Sequence, residues 1–516
     1  MDGGELIAQV LKKQGVRFIF TLSGGHISPI LVGAKNQGIR VIDVRQESTA
    51  VFAADAVGRL TGIPGVAVVT AGPGVTNSIT AIKNAQMANS PLILLGGAAA
   101  TILKGRGALQ DIEQIKLFKT SVKWATTIKR YCDIIEVIEE AFDVAKSGIP
   151  GPVFVECPID LLYDEALVRG WYGAFIREAK TSEDKAIDLY LRTHVDQLFT
   201  CSDKNLNPSD PKAIKPFSVD QEKISQTISY LSVSKAPILV LGSQVMFRTD
   251  EVNNLAKAVE KLGIPVYLTG MARGLLGDVN PINFRHKRSV ALKDADLIIL
   301  AGMELDFRLN YGRALNPKAV YISINRSTEA LKKNLKPTLG IQTDPSTFLV
   351  ALSEKFSSIK MNWKDWIYEL HNREEKRENE IQKFTNLETE YINPLFLCKE
   401  INKVLDDDSI IIGDGGDFVA TASYIVKPKG PLSWLDPGPF GTLGVGAGFA
   451  LAAKLIRPES EVWLIYGDGA AGYSIVELDT FVRHNIPIIA VIGNDAGWTQ
   501  ISREQVEYLK DDVGTV

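Results

Sequence analysis

The sequence predicts an α/β protein built from three doubly wound parallel-sheet domains. Three observations lead there. Short, fully apolar, β-branched runs alternate with helical patterns, which is how parallel strands covered on both faces read. The alternation recurs three times. The 516-residue chain also exceeds what one hydrophobic core can fill, roughly 150 residues being usual for a domain.

The elements follow in order. The opening MDGGELIAQVLKKQGV predicts an amphipathic helix rather than a signal peptide, and no apolar run reaches the ~18 residues of a membrane-spanning helix. Up to residue 165, VRFIF, IRVIDV, GVAVVT, PLILLGG and PVFVECP predict five strands, with a small-residue helix from Ala50 to Leu60 opened by Glu47. Residues 166–215 change character: WYGAF, an amphipathic DLYLRTHVDQLF and the polar NLNPSDPKAIKP predict a linker with a surface helix packed on a neighbouring domain. A second unit, 216–357, carries APILVLGS, IPVYLTG, ADLIILAG and AVYISIN. The third, 358–516, begins with a charged helix, HNREEKRENEIQKF, followed by SIIIGDGG, EVWLIYGDG and PIIAVIGND. About three strands are placed where five or six are expected, so the third domain is expected to be truncated at its C-terminus.

The 45% hydrophobic and 23% charged composition is that of a soluble globular protein, and a net charge of −4 without a basic block argues against nucleic acid and anionic membranes as partners. Cys132, Cys157, Cys201 and Cys398 show no CxxC spacing and are expected to be reduced thiols in a cytoplasmic enzyme.

Chemistry concentrates in two distant segments. In YGDGAAGYSIVELDTFVRHNIPIIAVIGNDAGWT, one apolar strand ends in Gly467-Asp468-Gly469-Ala470 and the next in Asn494-Asp495. Both acidic or amide positions therefore sit at carboxyl ends of parallel strands, the edge where open α/β sheets bind ligands. Glycines let backbone approach a phosphate, and Asp468 with a second oxygen ligand can hold magnesium against diphosphate oxygens. An isolated GDG triplet would be only a turn; the strand context gives it meaning. In the other segment, Glu47 follows IRVIDV at the start of its helix, where a lone glutamate would be a favourable helix-end charge.

Taken together these segments resemble the thiamine diphosphate-dependent enzymes, in their acetolactate synthase and 2-hydroxyacyl-CoA lyase branch. The first is similar to that family's GDG followed, one helix and one strand later, by an asparagine pair. The second is similar to its E-x-x-A-x-x-A-A-D-A-x-x-R, GPG-x-T-N and N-A-x-x-x-x-S-P run, and WLDPGPFGTLGVGAGFALAAKL to its GTMGVGLGFA stretch. The resemblance spans essentially the whole chain. It implies a pyrimidine-binding domain (1–165), a middle domain (216–357) and a diphosphate-binding domain (358–516).

It also implies roles. Glu47 would hydrogen-bond the aminopyrimidine ring and favour the tautomer that removes the thiazolium C2 proton. Leu443, flanked by Gly441 and Gly444, would wedge beneath the cofactor and hold its rings bent, with Gly416 and Asp417 bordering the thiazolium ring. Asp468 would ligate magnesium. The motif departs from Asn-Asn, so either Asn494 or Asp495 would supply the second side chain, with a backbone carbonyl near Ala496 or Gly497 completing the set. His26, in the glycine-rich loop after a strand, and Gln110 are candidates either to face the substrate or to serve a structural role.

Two reactions compete within that branch. Acetolactate synthases condense 2-oxo acids and hold FAD against an RFDDR-like run, whereas AGMELDFRLNYGR here is nearer the GARLNWILHFG type of the lyases. The resemblance therefore favours cleavage of 2-hydroxyacyl-CoA to formyl-CoA and a shortened aldehyde, as in 2-hydroxy fatty acid α-oxidation, without FAD. Pyruvate decarboxylases need an adjacent histidine pair, which His26, His194, His286, His371 and His484 do not provide. A catalytically impaired paralogue with a binding role is the alternative from another class: loss of Glu47 or the metal residues would favour it and both remain, while the short third domain keeps it open. Family sites join two subunits, implying a homodimer or homotetramer, and relatives carry an N-terminal endoplasmic reticulum anchor ahead of the point where this chain begins.

Overall fold

The computed structural model describes residues 1–173, 181–201, 206–213, 217–356 and 363–516. The expected boundaries at 215/216 and 357/358 lie outside the described residues. Three sheets form, and every strand pairing in them is parallel.

The first sheet has strands β1 (Phe18–Leu22), β2 (Arg40–Asp43), β3 (Gly65–Val69), β4 (Leu92–Ala98), β5 (Trp124–Thr127) and β6 (Pro152–Pro158), in the order β2-β1-β3-β4-β6-β5. The central β3, β4 and β6 are buried at every position, which their unbroken apolar runs require of strands covered on both faces. Helix Gly3–Lys13 begins at Asp2, whose carboxylate accepts the Glu5 N–H at 2.7 Å, and buries Leu6, Ile7, Val10 and Leu11. β5 escaped the sequence reading because WATT is short and only half-buried, with no apolar run to announce it.

The second sheet has β7 (Pro237–Leu241), β8 (Val266–Leu268), β9 (Asn283–Phe284), β10 (Leu297–Ala301), β11 (Val320–Asn325) and β12 (Leu339–Gln342), ordered β12-β11-β10-β7-β8-β9. The apolar β7, β8, β10 and β11 were legible; β9, of two residues, and β12, alternating buried and exposed, were not. The third sheet has β13 (Ile410–Gly413), β14 (Trp434–Leu435), β15 (Val462–Gly467) and β16 (Ile489–Gly493), ordered β14-β13-β15-β16. It holds four strands, one more than the sequence reading placed, because Trp434–Leu435 lies inside what reads as a proline-rich loop.

By contacts the chain divides into two units: residues 1–214 with Ala447–Ala452 and Ile475–Ile486, and the remainder. The first contains the first sheet; the second contains the other two. No helix among the described residues is long and apolar enough to cross a membrane.

The cysteine expectation is corrected. Cys132 and Cys201 form a disulfide, with a Cα–Cα distance of 5.9 Å, while Cys157 and Cys398 are free and buried. Helix Ser182–Leu198, started by a Thr181/Asp184 capping box, leads into Phe199, whose ring packs 5.6 Å from that of Tyr131. That packing brings together two cysteines that lie 69 residues apart, a meeting that spacing alone could not reveal.

Candidate active site

Within the first unit, three residues singled out in the sequence converge on one segment, Thr70–Gly74, which leaves the carboxyl end of β3. Glu47, 5% exposed, opens helix Glu47–Thr61. Its Oε2 accepts the Asn77 side-chain N–H at 3.0 Å, and its Oε1 faces Gly74, where a Cβ would stand 3.5 Å away. The His26 ring lies 3.3 Å from Thr70 Oγ1, and its burial lowers its basicity, favouring the neutral imidazole. Gln110, itself in a left-handed conformation (φ 64°), lays its backbone against Gly72.

Two further side chains organise this edge and were missed in the sequence. Gln114 is buried and accepts the Gly72 N–H at 2.9 Å while donating to the Gly97 carbonyl and to Glu156 at 3.0 and 3.1 Å. It thus fixes the turn that faces Glu47. Gln46 offers no side-chain cap to the Glu47 helix; instead the fully buried Glu477 accepts the Arg45 and Gln46 N–H groups at 3.0 and 3.1 Å. A carboxylate more than 400 positions away in the chain thereby fixes the approach to Glu47. Neither contact has a local sequence signal.

The second unit holds the Gly-Asp-Gly edge. Asp468 follows β15 at the first turn of helix Asp468–Gly472, partly exposed, and the Trp498 indole packs over Gly469. Gly467 donates its N–H to the Gly415 carbonyl at 2.9 Å, so the ends of β13 and β15 are joined. Gly416, at φ 106°, lies with its Cα against Gly467 before helix Asp417–Ile425; only glycine tolerates that backbone conformation. Asp417 pairs with Arg503. Past β16, Asn494 and Asp495 are exposed; Asn494 Oδ1 accepts the Ala496 N–H at 3.0 Å, folding the strand end back toward Gly497. Ala470 is buried and Gly441, with φ 65°, is exposed.

Leu443 stands over Gly415, and a Cβ on that glycine would lie 2.1 Å from Leu443 Cδ2. Just after it, the Gly444 and Gly446 N–H groups donate to the Asp414 carboxylate at 3.0 and 2.9 Å. Burial raises the Asp414 carboxyl to about 7 despite those bonds. Among the described residues no three or more His, Cys, Asp or Glu side chains converge as a metal cluster. The acidic edge offers carboxylate, amide and carbonyl oxygens instead, the donor set of a hard cation that keeps other ligands.

The second unit also encloses a cavity of about 290 Å³ lined by Arg273, Arg285, Arg288 and Lys427, with Asp278 at its side. Arg273 stacks 4.9 Å from the Trp434 ring, and its buried Nε has no hydrogen-bond partner among the described residues. Burial lowers all three guanidinium pKa values, that of Arg285 to about 10, and the Arg273 charge lowers its two neighbours further, against a smaller opposing pull from Asp436 on Arg273, from Glu374, Glu378 and Asp278 on Arg285 and from Asp306 on Arg288. The side-chain hydrogen bonds of Arg285 and Arg288 go to the carbonyls of Ser423, Val426 and Arg308. Arg273 and Asp278 lie in GMARGLLGD, a stretch similar to the family, but no motif joined them to Arg285, Arg288 and Lys427.

Parallel sheets whose carboxyl edges carry glycine turns, a buried glutamate and an acidic strand end define an α/β cofactor enzyme. The thiamine pyrophosphate enzyme models match the chain in order: the N-terminal TPP binding domain over residues 1–117, the central domain over 224–352 and the C-terminal TPP binding domain over 414–515. The 2-hydroxyacyl-CoA lyase 2 of Danio rerio is 49% identical over 516 residues, covering 99% of this chain and 83% of that protein. The Homo sapiens 2-hydroxyacyl-CoA lyase 2 is 47% identical over 517 residues, covering 99% and 81%. The acetolactate synthase large subunit IlvG of Mycobacterium tuberculosis is 33% identical over 499 residues, covering 96% and 84%. The chain belongs to the thiamine pyrophosphate enzyme family and is a thiamine diphosphate-dependent carbon–carbon lyase or carboligase.

Proposed function

We propose that the protein cleaves 2-hydroxyacyl-CoA to formyl-CoA and an aldehyde one carbon shorter, using thiamine diphosphate and Mg²⁺. The observation that carries this reading is the arginine-lined cavity. Three guanidinium groups crowded together at a cost in solvation fit a phosphate-bearing carrier, whereas a bare 2-oxo acid has one carboxylate to offer them. The likeness to proteins named 2-hydroxyacyl-CoA lyase 2 supports the same choice over an acetolactate synthase.

Bound thiamine diphosphate supplies a carbon nucleophile and an electron sink for breaking a bond beside a carbonyl carbon. The residues fit that group. Glu47 has one carboxylate oxygen held by Asn77 and the other turned to the Gly74 backbone, so it can present a hydrogen bond to an aminopyrimidine nitrogen. Leu443 offers an apolar support above Gly415, and Gly416 and Gly467 leave backbone open beside it. Asp468 and Asp495 would hold Mg²⁺ with a backbone carbonyl near Ala496 or Gly497. Asp495 is the better second ligand, because the Asn494 oxygen is already engaged by the Ala496 N–H. His26 and Gln110, on the Glu47 edge, would orient the substrate. A homodimer is the minimum unit, each Glu47 serving the cofactor of the partner subunit. The domain division proposed with this reading is at 165, 215 and 357.

The test is direct. Purified protein is incubated with thiamine diphosphate, magnesium and either a 2-hydroxyacyl-CoA or pyruvate. Aldehyde from the first and no acetolactate from the second is the expected result; the reverse would establish the carboligase.

A further inference from the structure

The Leu443 support is built where the end of β13 interlocks with the turn that opens helix Gly446–Ile456, and the fastening is a buried carboxylate. Asp414, 4% exposed at the end of β13, accepts the Gly444 N–H on Oδ1 at 3.0 Å and on Oδ2 at 3.2 Å, and the Gly446 N–H on Oδ2 at 2.9 Å. The approach is close: a Cβ on Gly446 would lie 2.9 Å from Asp414 Oδ2, and one on Gly444, at φ 90°, would lie 2.9 Å from Tyr473 Cβ. The neighbouring Gly415 leaves the space that Leu443 Cδ2 fills. One tripeptide, Gly413-Asp414-Gly415, therefore grips the turn from its backbone and seats its side chain. Burying a carboxylate is costly when an apolar residue could fill the space, so its presence calls for a positional reason.

We propose that Asp414 is a positioning residue, which fixes the 443–446 turn so that Leu443 is held at one height and angle beneath the bound cofactor. The proposal rests on the reading of Leu443 as the cofactor support. The ionised carboxylate suits the task because both its oxygens accept and neither donates, and the variants are therefore compared at pH 8, above the value near 7 to which burial raises this group. Asparagine at 414 keeps one acceptor oxygen and puts an N–H pair in place of the other, so either Gly446 loses its bond or Gly444 loses the shorter of its two and meets a donor instead, which frees the turn to shift.

The test compares Asp414→Asn, Leu443→Ala and the double variant in two measurements. Hydrogen exchange on the cofactor-free protein should show the Gly444 and Gly446 amides exchanging at least about tenfold faster in Asp414→Asn, with β13 and β15 unchanged. Acceleration throughout the third sheet, or none at Gly444 and Gly446, overturns the proposal. With cofactor and substrate, Asp414→Asn should lower kcat about tenfold while the thiamine diphosphate dissociation constant moves less than threefold. In the Leu443→Ala background the same substitution should change kcat less than threefold, because the support is already gone. Fully additive losses overturn it as well. If Leu443→Ala alone leaves kcat unchanged, the reading of Leu443 fails, while the exchange result still decides whether Asp414 fixes the turn.

Discussion

Asn77 donates its side-chain N–H to Glu47 Oε2 at 3.0 Å, and it does so from the helix that begins at the Pro73-Gly74 turn facing the other carboxylate oxygen. The glutamate is therefore held on one side and open on the other. Glu47→Gln should abolish turnover while thiamine diphosphate still binds, since the amide keeps the shape but cannot share a proton in the same way. Asn77→Ala frees the carboxyl to rotate and forfeits a charge-assisted hydrogen bond, about 1.5–3 kcal/mol. A fall in kcat of about ten- to a hundredfold is expected, with cofactor affinity nearly unchanged. Steady-state kinetics alongside fluorescence titration of the cofactor would separate the two effects, and full activity in Glu47→Gln would overturn the assignment.

At the acidic edge, the engagement of Asn494 Oδ1 by the Ala496 N–H makes the two candidate ligands unequal. Asp468→Asn and Asp495→Asn should each raise the magnesium concentration needed for half-maximal activity by at least about tenfold, as expected for loss of a carboxylate from a hard-cation site. Asn494→Ala should loosen the turn and shift the requirement less. A larger magnesium effect in Asn494→Ala than in Asp495→Asn would reverse the assignment.

The arginine cavity makes a prediction about which substrate suffers. Arg285→Ala or Arg288→Ala should raise KM for a 2-hydroxyacyl-CoA about ten- to a hundredfold, the worth of one charge-assisted contact to phosphate. The same variants should leave KM for a short 2-hydroxy acid without the carrier unaltered. Equal losses on both substrates would mean that the cavity supports the fold rather than the ligand.

The sequence made the architecture legible wherever strands are long and apolar. VRFIF, PLILLGG and ADLIILAG announce themselves because buried parallel strands need unbroken hydrophobic runs. Trp434–Leu435 and Asn283–Phe284, two residues each, carry no period and could not be seen. For the candidate site, Glu47 and Gly467-Asp468-Gly469 were visible as motifs in strand context. Gln114, Glu477 and Asp414 were not, because each acts by bonding backbone N–H groups brought close only by folding. The arginine cluster was invisible for a related reason: Arg273, Arg285 and Arg288 come from a turn, a strand end and a helix start with no shared spacing.

The Cys132–Cys201 disulfide predicts a thiol count. Denatured without reductant, the chain should titrate two thiols, Cys157 and Cys398, and four after reduction. In the folded state those two should react slowly, since both are buried and burial pushes their thiol pKa values up, that of Cys398 to about 12. Four thiols without reductant would show the bridge absent.

A final prediction concerns pH and the Asp414 carboxyl, which burial raises to about 7 from an ordinary value near 4. The titratable group beside it is Tyr466, itself pushed up by burial and by the Asp414 charge. Because the folded-state pKa lies above the unfolded one, the folded chain binds the proton more tightly between those values. The stabilisation from that proton is complete below about pH 4 and is lost as pH rises through 7. Asp414→Asn has no such proton to lose. The melting temperature of the cofactor-free wild type, minus that of Asp414→Asn, should therefore shrink by several degrees between pH 5 and pH 8. A constant difference across that range would mean that Asp414 does not titrate there, and a widening difference would mean that its carboxylate is stabilised rather than penalised by burial among the glycine amides.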